Sequence, residues 1–324
     1  VDRMEFEEIV AQAMLAPSAH NTQPARWRQV AACIEVHADL SRRLPVGDPN
    51  DRDLEVSCGA AVEGTVLALA ARGVGAEVTV SDEPEEAGLR KIACIAPKAT
   101  ADTEDAKLAV EASKRLTHRG GFAPPPQGAF ENWSSAHMTL VEDAAQIEWL
   151  AKQIDIASAR VVRSRAFRSE LLSWMRLRDV DPNYHIDGLN REVLAMDTTT
   201  ARFAPFVLGG RLYDLLAVLG LGPHLSGEAA RSREAGAIAL FHWPENGSMI
   251  EAGRAFYRSW LQATARGLVG WPAAAPADDP GTCAAVSDRF SVPTGRVLFN
   301  ALRLGAANGA TPSRTRLSMR EVIV

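Results

Sequence analysis

Cys58-Gly59-Ala60-Ala61, running through Leu67 to Ala70-Ala71-Arg72-Gly73, returns 194 residues later as Ala252-Gly253-Arg254-Ala255, running through Leu261 to Thr264-Ala265-Arg266-Gly267. Gly59 aligns with Gly253, Ala61 with Ala255, Leu67 with Leu261, and Ala71-Arg72-Gly73 with Ala265-Arg266-Gly267. Each copy predicts a long helix closed by a glycine cap. Gly59, Gly64 and Gly253 lie near or inside these helices, where each costs about 1 kcal/mol relative to alanine. Close packing of one helix against the other would justify that cost. Two Ala-rich core helices can align by chance, but identities held in one frame favour a duplication. The fold class expected is therefore α+β, duplicated so that one chain mimics a homodimer, with halves at residues 1–102 and 103–324.

Working outward, apolar periodicity predicts a helix over 4–15 and strands at 27–30 and 32–37. The long helix follows at 52–72, then strands at 76–80 and 91–96 and a helix at 103–114. Gly120–Gly128 is rich in Gly and Pro. Beyond it come a strand at 138–141 and helices at 143–158 and 160–176. A helix at 209–219, a strand at 237–243, the second long helix at 249–266, a helix around Val292–Leu304 and an extended tail complete the chain. Segment 177–206 is polar and longer than an ordinary connection, which fits either a functional lid or an inert surface loop.

Composition narrows the class. The 324 residues are 47% hydrophobic and 23% charged, ordinary for a globular protein, and can bury a large core. A net charge of −5 gives no electrostatic reason to expect nucleic acid or an anionic membrane as a partner. Val1–Glu5 carries no apolar signal region and no apolar run is long enough to span a bilayer, so the expected location is cytoplasmic. Cys33, Cys58, Cys94 and Cys283 are scattered and read as reduced, buried thiols. Neither CxxC nor HxxxH spacing occurs, so no metal site is expected. A dinucleotide G-x-G-x-x-G, a P-loop and a G-x-S-x-G elbow are also missing.

The chemistry concentrates in three places. Ala16-Pro17-Ser18-Ala19-His20-Asn21-Thr22-Gln23-Pro24 follows the first helix, and Pro17 ends that helix. Its polar side chains and free backbone N–H groups can grip a flat heterocycle rich in carbonyls and ring nitrogens. Arg115-Leu116-Thr117-His118-Arg119 sets two guanidiniums and a hydroxyl on one side of a turning chain, suited to a phosphate. It also reads as an exposed basic turn at a helix C-terminus. Ser313-Arg314-Thr315-Arg316 sets two more guanidiniums two residues apart, and it also reads as a charged tail.

Taken together and in order, these motifs resemble the FMN-dependent nitroreductase family, in particular its Acg-like, fused pseudo-dimer branch. The resemblance extends to Arg42-Arg43-Leu44-Pro45, Asp48-Pro49, Arg52, Trp260-Leu261-Gln262-Ala263-Thr264 and Arg303-Leu304-Gly305, and so covers nearly the whole chain. It implies an FMN site shared between the halves. Arg115, Thr117, Arg314 and Arg316 would hold the phosphate, and Arg119 would lie at the pyrimidine edge, where a cation supports the charge of reduced flavin. Pro17, Ser18, His20 and Asn21 would line the ring and ribityl chain, and a backbone donor to flavin N5 would lie near Trp271–Ala274. No side chain is assigned as a general acid. The activity implied is transfer of hydride from NAD(P)H through FMN to a nitroaromatic, a quinone or a similar small acceptor; the alternative is an FMN-sequestering protein with a covered flavin. A fused pseudo-dimer is expected to be monomeric. Ala25 stands where the family has Trp after Gln-Pro, and Gly222-Pro223-His224-Leu225-Ser226, at the second turn position, lacks the Asn. One FMN per chain is therefore expected.

Overall fold

The computed structural model describes residues 2–31, 33–81, 83–210, 213–214, 228–309 and 312–324. Its first part runs α1 (Arg3–Ala13), β1 (Ala25–Val30), β2 (Cys33–Asp39), α2 (Arg52–Ala70), β3 (Gly75–Val80), β4 (Leu89–Lys98) and α3 (Thr103–Ala109). The middle holds β5 (Phe122–Ala123), β6 (Met138–Val141), α4 (Ala144–Arg163), α5 (Arg165–Ser173), β7 (Met175–Arg176), β8 (Leu189–Asn190), α6 (Thr198–Gly209) and α7 (Glu228–Arg233). Then come β9 (Ala237–Pro244), α8 (Met249–Ala265), β10 (Val269–Ala273), α9 (Ala275–Asp278), α10 (Pro280–Arg289), β11 (Arg296–Ala307) and α11 (Met319–Val322).

The duplication is written in the strand order. One sheet runs β1-β2-β4-β3 and the other β6-β9-β11-β10, every pair antiparallel. In both, the second strand leads into the long helix, which leads into the edge strand and then back beside the second strand. The helix exits match atom for atom: Gly73 (φ 77°) and Gly267 (φ 76°) are left-handed, and Val74 and Leu268 donate to Leu69 O and Ala263 O at 3.1 and 3.0 Å. Glycine takes that backbone without a Cβ penalty.

Between the sheets α2 crosses α8. Every residue of α2 from Val56 to Ala70 is buried, as expected of a helix enclosed on all sides. A Cβ on Gly59 would lie 2.0 Å from Ile250 O, and one on Gly253 would lie 2.2 Å from Val56 O. The same offset of 194 relates the two contacts, so the crossing is a pseudo-twofold contact between backbones. That is the packing that justifies glycine inside these helices.

Four expectations need correction. Residues 292–304 were expected as a helix, but this region forms β11, central in its sheet and covered on both faces, so its apolar run has no strand-like alternation. Two helices at 143–158 and 160–176 are instead one helix to Arg163 and a second capped by Ser164, whose Oγ accepts from Phe167 N at 3.3 Å. Segment 177–206 is not irregular throughout: it holds β8 and most of α6, packed around Met175, Leu177 and Ala201. Cys33 and Cys94 are not thiols but a disulfide, brought together by the β2–β4 pairing across a sequence separation of 61. Cys58 and Cys283 are free. Most of the expected 209–219 helix, and the second turn position at 222–226, lie outside the described residues.

Candidate functional site

A cavity of about 450 Å³ opens where the turn after α1, the start of α2, residues 117–119, α4, the segment α5–α6 and the β10–α9 corner meet. Five of the expected site residues line it: Pro17, Ser18, His20, Thr117 and Arg119. Trp271, Pro272, Ala273 and Ala274, where the backbone donor is expected, line it as well.

The turn is held in an unusual backbone. His20, Asn21 and Gln23 have φ of 46°, 54° and 51°, three non-glycine residues in the left-handed region within four positions. Such residues cost of order 1–3 kcal/mol each, and persist only where their surroundings fix them. Here Ser18 Oγ accepts from Gln23 N at 3.0 Å and Ser57 Oγ from Ala19 N at 3.1 Å. Gln23 is the clamp: its Nε2 donates to Ile186 O at 2.9 Å, and its Oε1 accepts from Leu317 N at 2.9 Å. The turn, the cap (the α5–α6 segment, residues 165–209) and the C-terminal tail are thereby joined through one side chain.

Asn21 faces the tail rather than the cavity. Its Nδ2 donates to Gly188 O (3.1 Å) and Thr315 Oγ1 (3.0 Å), and its Oδ1 accepts from Arg316 Nη1 (3.2 Å). Arg115, Arg314 and Arg316 gather beside it, none of them on the cavity wall. Arg115 is buried over the Trp260 ring, 4.6 Å from its centre, and Nη2 donates to Leu15 O at 2.8 Å. Arg316 donates to Met14 O at 2.5 Å, Leu15 O at 3.1 Å and Ala16 O at 3.2 Å. Arg314 donates to the carbonyls of Ser113 and Arg115. The exposed carbonyl end of α1 thus receives two guanidiniums, a favourable placement for cations. Yet none of the three arginines has a carboxylate within ion-pair distance among the described residues, and Nε and Nη1 of Arg115 have no hydrogen-bond partner. Burial drives the Arg115 guanidinium down to about 10 and Arg316 to about 9, and lowers Arg314 as well.

On the cavity wall, burial lowers the His20 pKa against the opposing pull of Asp53, so the imidazole is neutral at pH 7. His20, Trp260 and Asn300 line the cavity, while His20 Nδ1, Trp260 Nε1 and Asn300 Oδ1 are buried out of reach of its open space and have no partner. Trp260 and Asn300 were missed as site residues. Trp260 reads as one more apolar residue of an amphipathic helix, and Asn300 lies in the stretch misread as helical. The cap supplies apolar wall, including Met175, Leu189, Leu194 and Met196. Among the described residues no cluster of His, Cys, Asp or Glu is placed to hold a metal, and no helix is long and apolar enough to cross a membrane.

No family model matches the chain. Over 129 residues it is 34% identical to "Putative NAD(P)H nitroreductase Rv3131" of Mycobacterium tuberculosis, covering 39% of this chain and 37% of that protein. Over 185 residues it is 29% identical to "Putative NAD(P)H nitroreductase acg" of the same organism, covering 56% and 52%. The chain is similar to both of these proteins over part of its length. It spans about half or less of the length of the curated relatives it matches. Among solved structures, a "putative nitroreductase" from Anabaena variabilis aligns over 94% of this chain and 88% of its own at 11% identity and a TM-score of 0.48. The FMN-dependent nitroreductase NfnB from Mycobacterium smegmatis, solved with NADPH, aligns over 63% and 89% at 21% identity and a TM-score of 0.34.

Proposed function

We propose that this protein is an FMN-dependent oxidoreductase that takes hydride from NAD(P)H and passes electrons to a nitroaromatic, quinone or similar small acceptor in the same cavity. The observation that supports it most is the cationic trio Arg115, Arg314 and Arg316, the first buried and the other two half-buried, with no carboxylate among the described residues to balance it. Buried charge is costly unless it is paired, and an entering phosphate would supply the missing anion. The trio adjoins the cavity through Trp260, over whose ring Arg115 lies, so the residues present suit a planar cofactor with a phosphate tail. FMN would supply the hydride-accepting ring.

The chain's own part is binding and orientation. Thr117 reaches the cavity beside Gly270, with which it forms a parallel bridge, and Arg119 stands on the wall where it would hold an anionic ring edge. Pro17, Ser18 and His20 give the opposite wall, and the strained turn holds them in place. Asn21 is reassigned from a ring contact to a support for Arg316 and the tail. The cap excludes water from one side with apolar side chains. We further place the join of the halves at 102/103, where α3 begins, with a lid drawn from 177–206, a monomeric chain and one FMN per chain.

The experiment is the visible spectrum of the purified protein, followed by anaerobic titration with NADPH. A flavin band that bleaches supports the reductase. A persistent band favours flavin storage, an alternative that finds no support in the names of the relatives. No band after FMN is supplied overturns the proposal.

A further inference from the structure

Reduction of a quinone needs a proton as well as a hydride, and the cavity wall holds few groups able to lend one near neutral pH. Burial leaves His20 a neutral imidazole and raises Tyr213 above its ordinary value, and Arg119 is a guanidinium. Two carboxylates, Asp53 at the start of α2 and Asp278 at the end of α9, also line the cavity. Arg52 stands between them: its Nε and Nη2 donate to Asp53 Oδ1 at 3.0 and 2.8 Å, and Nη2 donates to Asp278 Oδ1 at 2.5 Å. One cation thus answers two acids, and the buried Asp48 adds a third negative group nearby. From the other elements packed on α9 come Arg160 of α4, paired with Asp279 at 2.6 Å, and Cys283 of α10, a thiol that burial keeps protonated. The cations of β11 are engaged elsewhere, Arg296 with His137 and His242, and Arg303 with Trp271 and Ser232. Asp278 Oδ2 has no hydrogen-bond partner among the described residues, and the side chain keeps 25% of its surface accessible.

We propose that Asp278 is the proton donor of the site: one carboxyl oxygen is anchored by Arg52, and the other gives a proton to an oxygen of a quinone-type acceptor in the cavity. The inference rests on the FMN reading above. The hydride, supplied by the reduced cofactor, bonds to one quinone oxygen; the ring electrons shift, and the second oxygen is left with the electron pair and a negative charge. Asp278 protonates that oxygen, so one quinone, one hydride and one proton become one hydroquinone. The carboxylate left behind is steadied by Arg52 and recovers its proton from water through its accessible surface. Burial and the neighbouring acids outweigh Arg52 and hold the Asp278 carboxyl up at about 6. About a tenth of it is then protonated at pH 7, against about one part in a thousand for an ordinary aspartic acid. Asp53 is a positioning residue: it fixes Arg52, and its charge favours the proton on Asp278. Asp278 also lies one helical turn beyond Ala274, so it shares the β10–α9 corner of the cavity wall.

The test reduces the FMN-loaded protein with dithionite and follows its reoxidation by menadione, which needs a proton, and by ferricyanide, which takes electrons alone. Asp278→Asn should slow the menadione reaction about a hundredfold, the lower end of general-acid effects. The ferricyanide rate and FMN affinity should stay within twofold of wild type. In wild type the menadione rate should fall about tenfold between pH 7 and 8, as the acid form is lost, whereas D278N should be flat. Asp53→Asn removes a charge that favours the proton, so it should move the break to lower pH. A readout independent of turnover is the carboxyl resonance of carbon-13-labelled aspartate: one signal should titrate near pH 6 in wild type and be missing from D278N. A loss under tenfold with menadione, or an equal loss with both oxidants, overturns the inference while the FMN reading stands. A wild-type protein that binds no FMN overturns both. Should D278N fail to melt cooperatively, Asp278→Ser carries the same readings.

Discussion

Two groups of arginines lie along the α2–α8 pair, and they are wired in opposite ways. Glu63 and Tyr257 are equivalent positions, each one turn beyond the crossing glycine of its helix. Around Glu63, which is 1% exposed, every cation meets an acid. Arg254 reaches it at 3.0 Å and Arg258 at 2.5 Å, and Arg258 also binds Asp105 at 2.6 Å. Around Tyr257 lie Arg115, Arg314 and Arg316, which meet backbone carbonyls and aromatic faces but no acid among the described residues. The duplicated scaffold thus carries a built-in anion on one side and a vacancy in its charge balance on the other. A cation left without an acid is open to an anionic ligand; a neutralised one is a strut.

The sharpest way to break this contrast is to remove cations from the unpaired side. Arg115→Ala with Arg316→Ala should weaken FMN binding by at least a hundredfold in fluorescence titration, since hydrogen bonds to charged groups contribute about 1.5–3 kcal/mol each. Equal affinity in the double variant would show that the cluster only caps α1.

Glu63→Ala attacks the paired side. It removes the buried acid but leaves Arg254 paired with Glu251 and Arg258 with Asp105, so it should cost about 1–3 kcal/mol of stability in urea unfolding. FMN affinity of the folded fraction should not change, and a parallel loss of both would mean that the two clusters are not separate devices.

Gly253→Ala tests the crossing that holds the clusters apart. A Cβ 2.2 Å from Val56 O cannot be seated without moving a helix, so about 1–3 kcal/mol of destabilisation is expected, with Gly59→Ala giving a similar value. A neutral outcome at either position would remove the backbone contact from the argument.

The smallest effect is on pH. In the unliganded protein Arg316 titrates at about 9 and Arg115 at about 10, both below the ordinary guanidinium value, because burial disfavours the charged form. Both are protonated at pH 7 and lose charge as pH rises through this window, so FMN affinity should fall about tenfold between pH 8 and 10. Binding at pH 9 should take up protons, measurable by calorimetry in buffers of different ionisation enthalpy. Flat affinity across the window would mean that the guanidiniums keep their charge without an anion.

Much of the fold was legible in the residues. The repeated helix with its terminal glycine stands out because close crossing and a left-handed exit each demand glycine, and such demands leave a mark on sequence. The turn at 16–24 was legible for a related reason, since polar residues crowded behind a helix-ending proline have few other uses. β11 was not legible: a strand covered on both faces loses its alternation, and its apolar run looks like a helix face. The Cys33–Cys94 pair was hidden because neighbours in a sheet need not be neighbours in the chain. The same holds for Asn300, which lies at a bulge in the β11–β9 pairing.

By itself, then, the order of residues determined that the chain repeats an α+β unit and which groups carry charge and hydrogen-bonding capacity. Local demands on φ, helix crossing and chain exit act within a few residues, and so they are recorded there. Only the tertiary structure decided which of those charges are met. Arg115 and Arg316 stand 201 positions apart, and Glu63 and Arg258 stand 195 apart. Whether a buried arginine finds a carboxylate or waits for a phosphate is set by what packing brings within about 4 Å of it, at a strength that depends on exclusion of water.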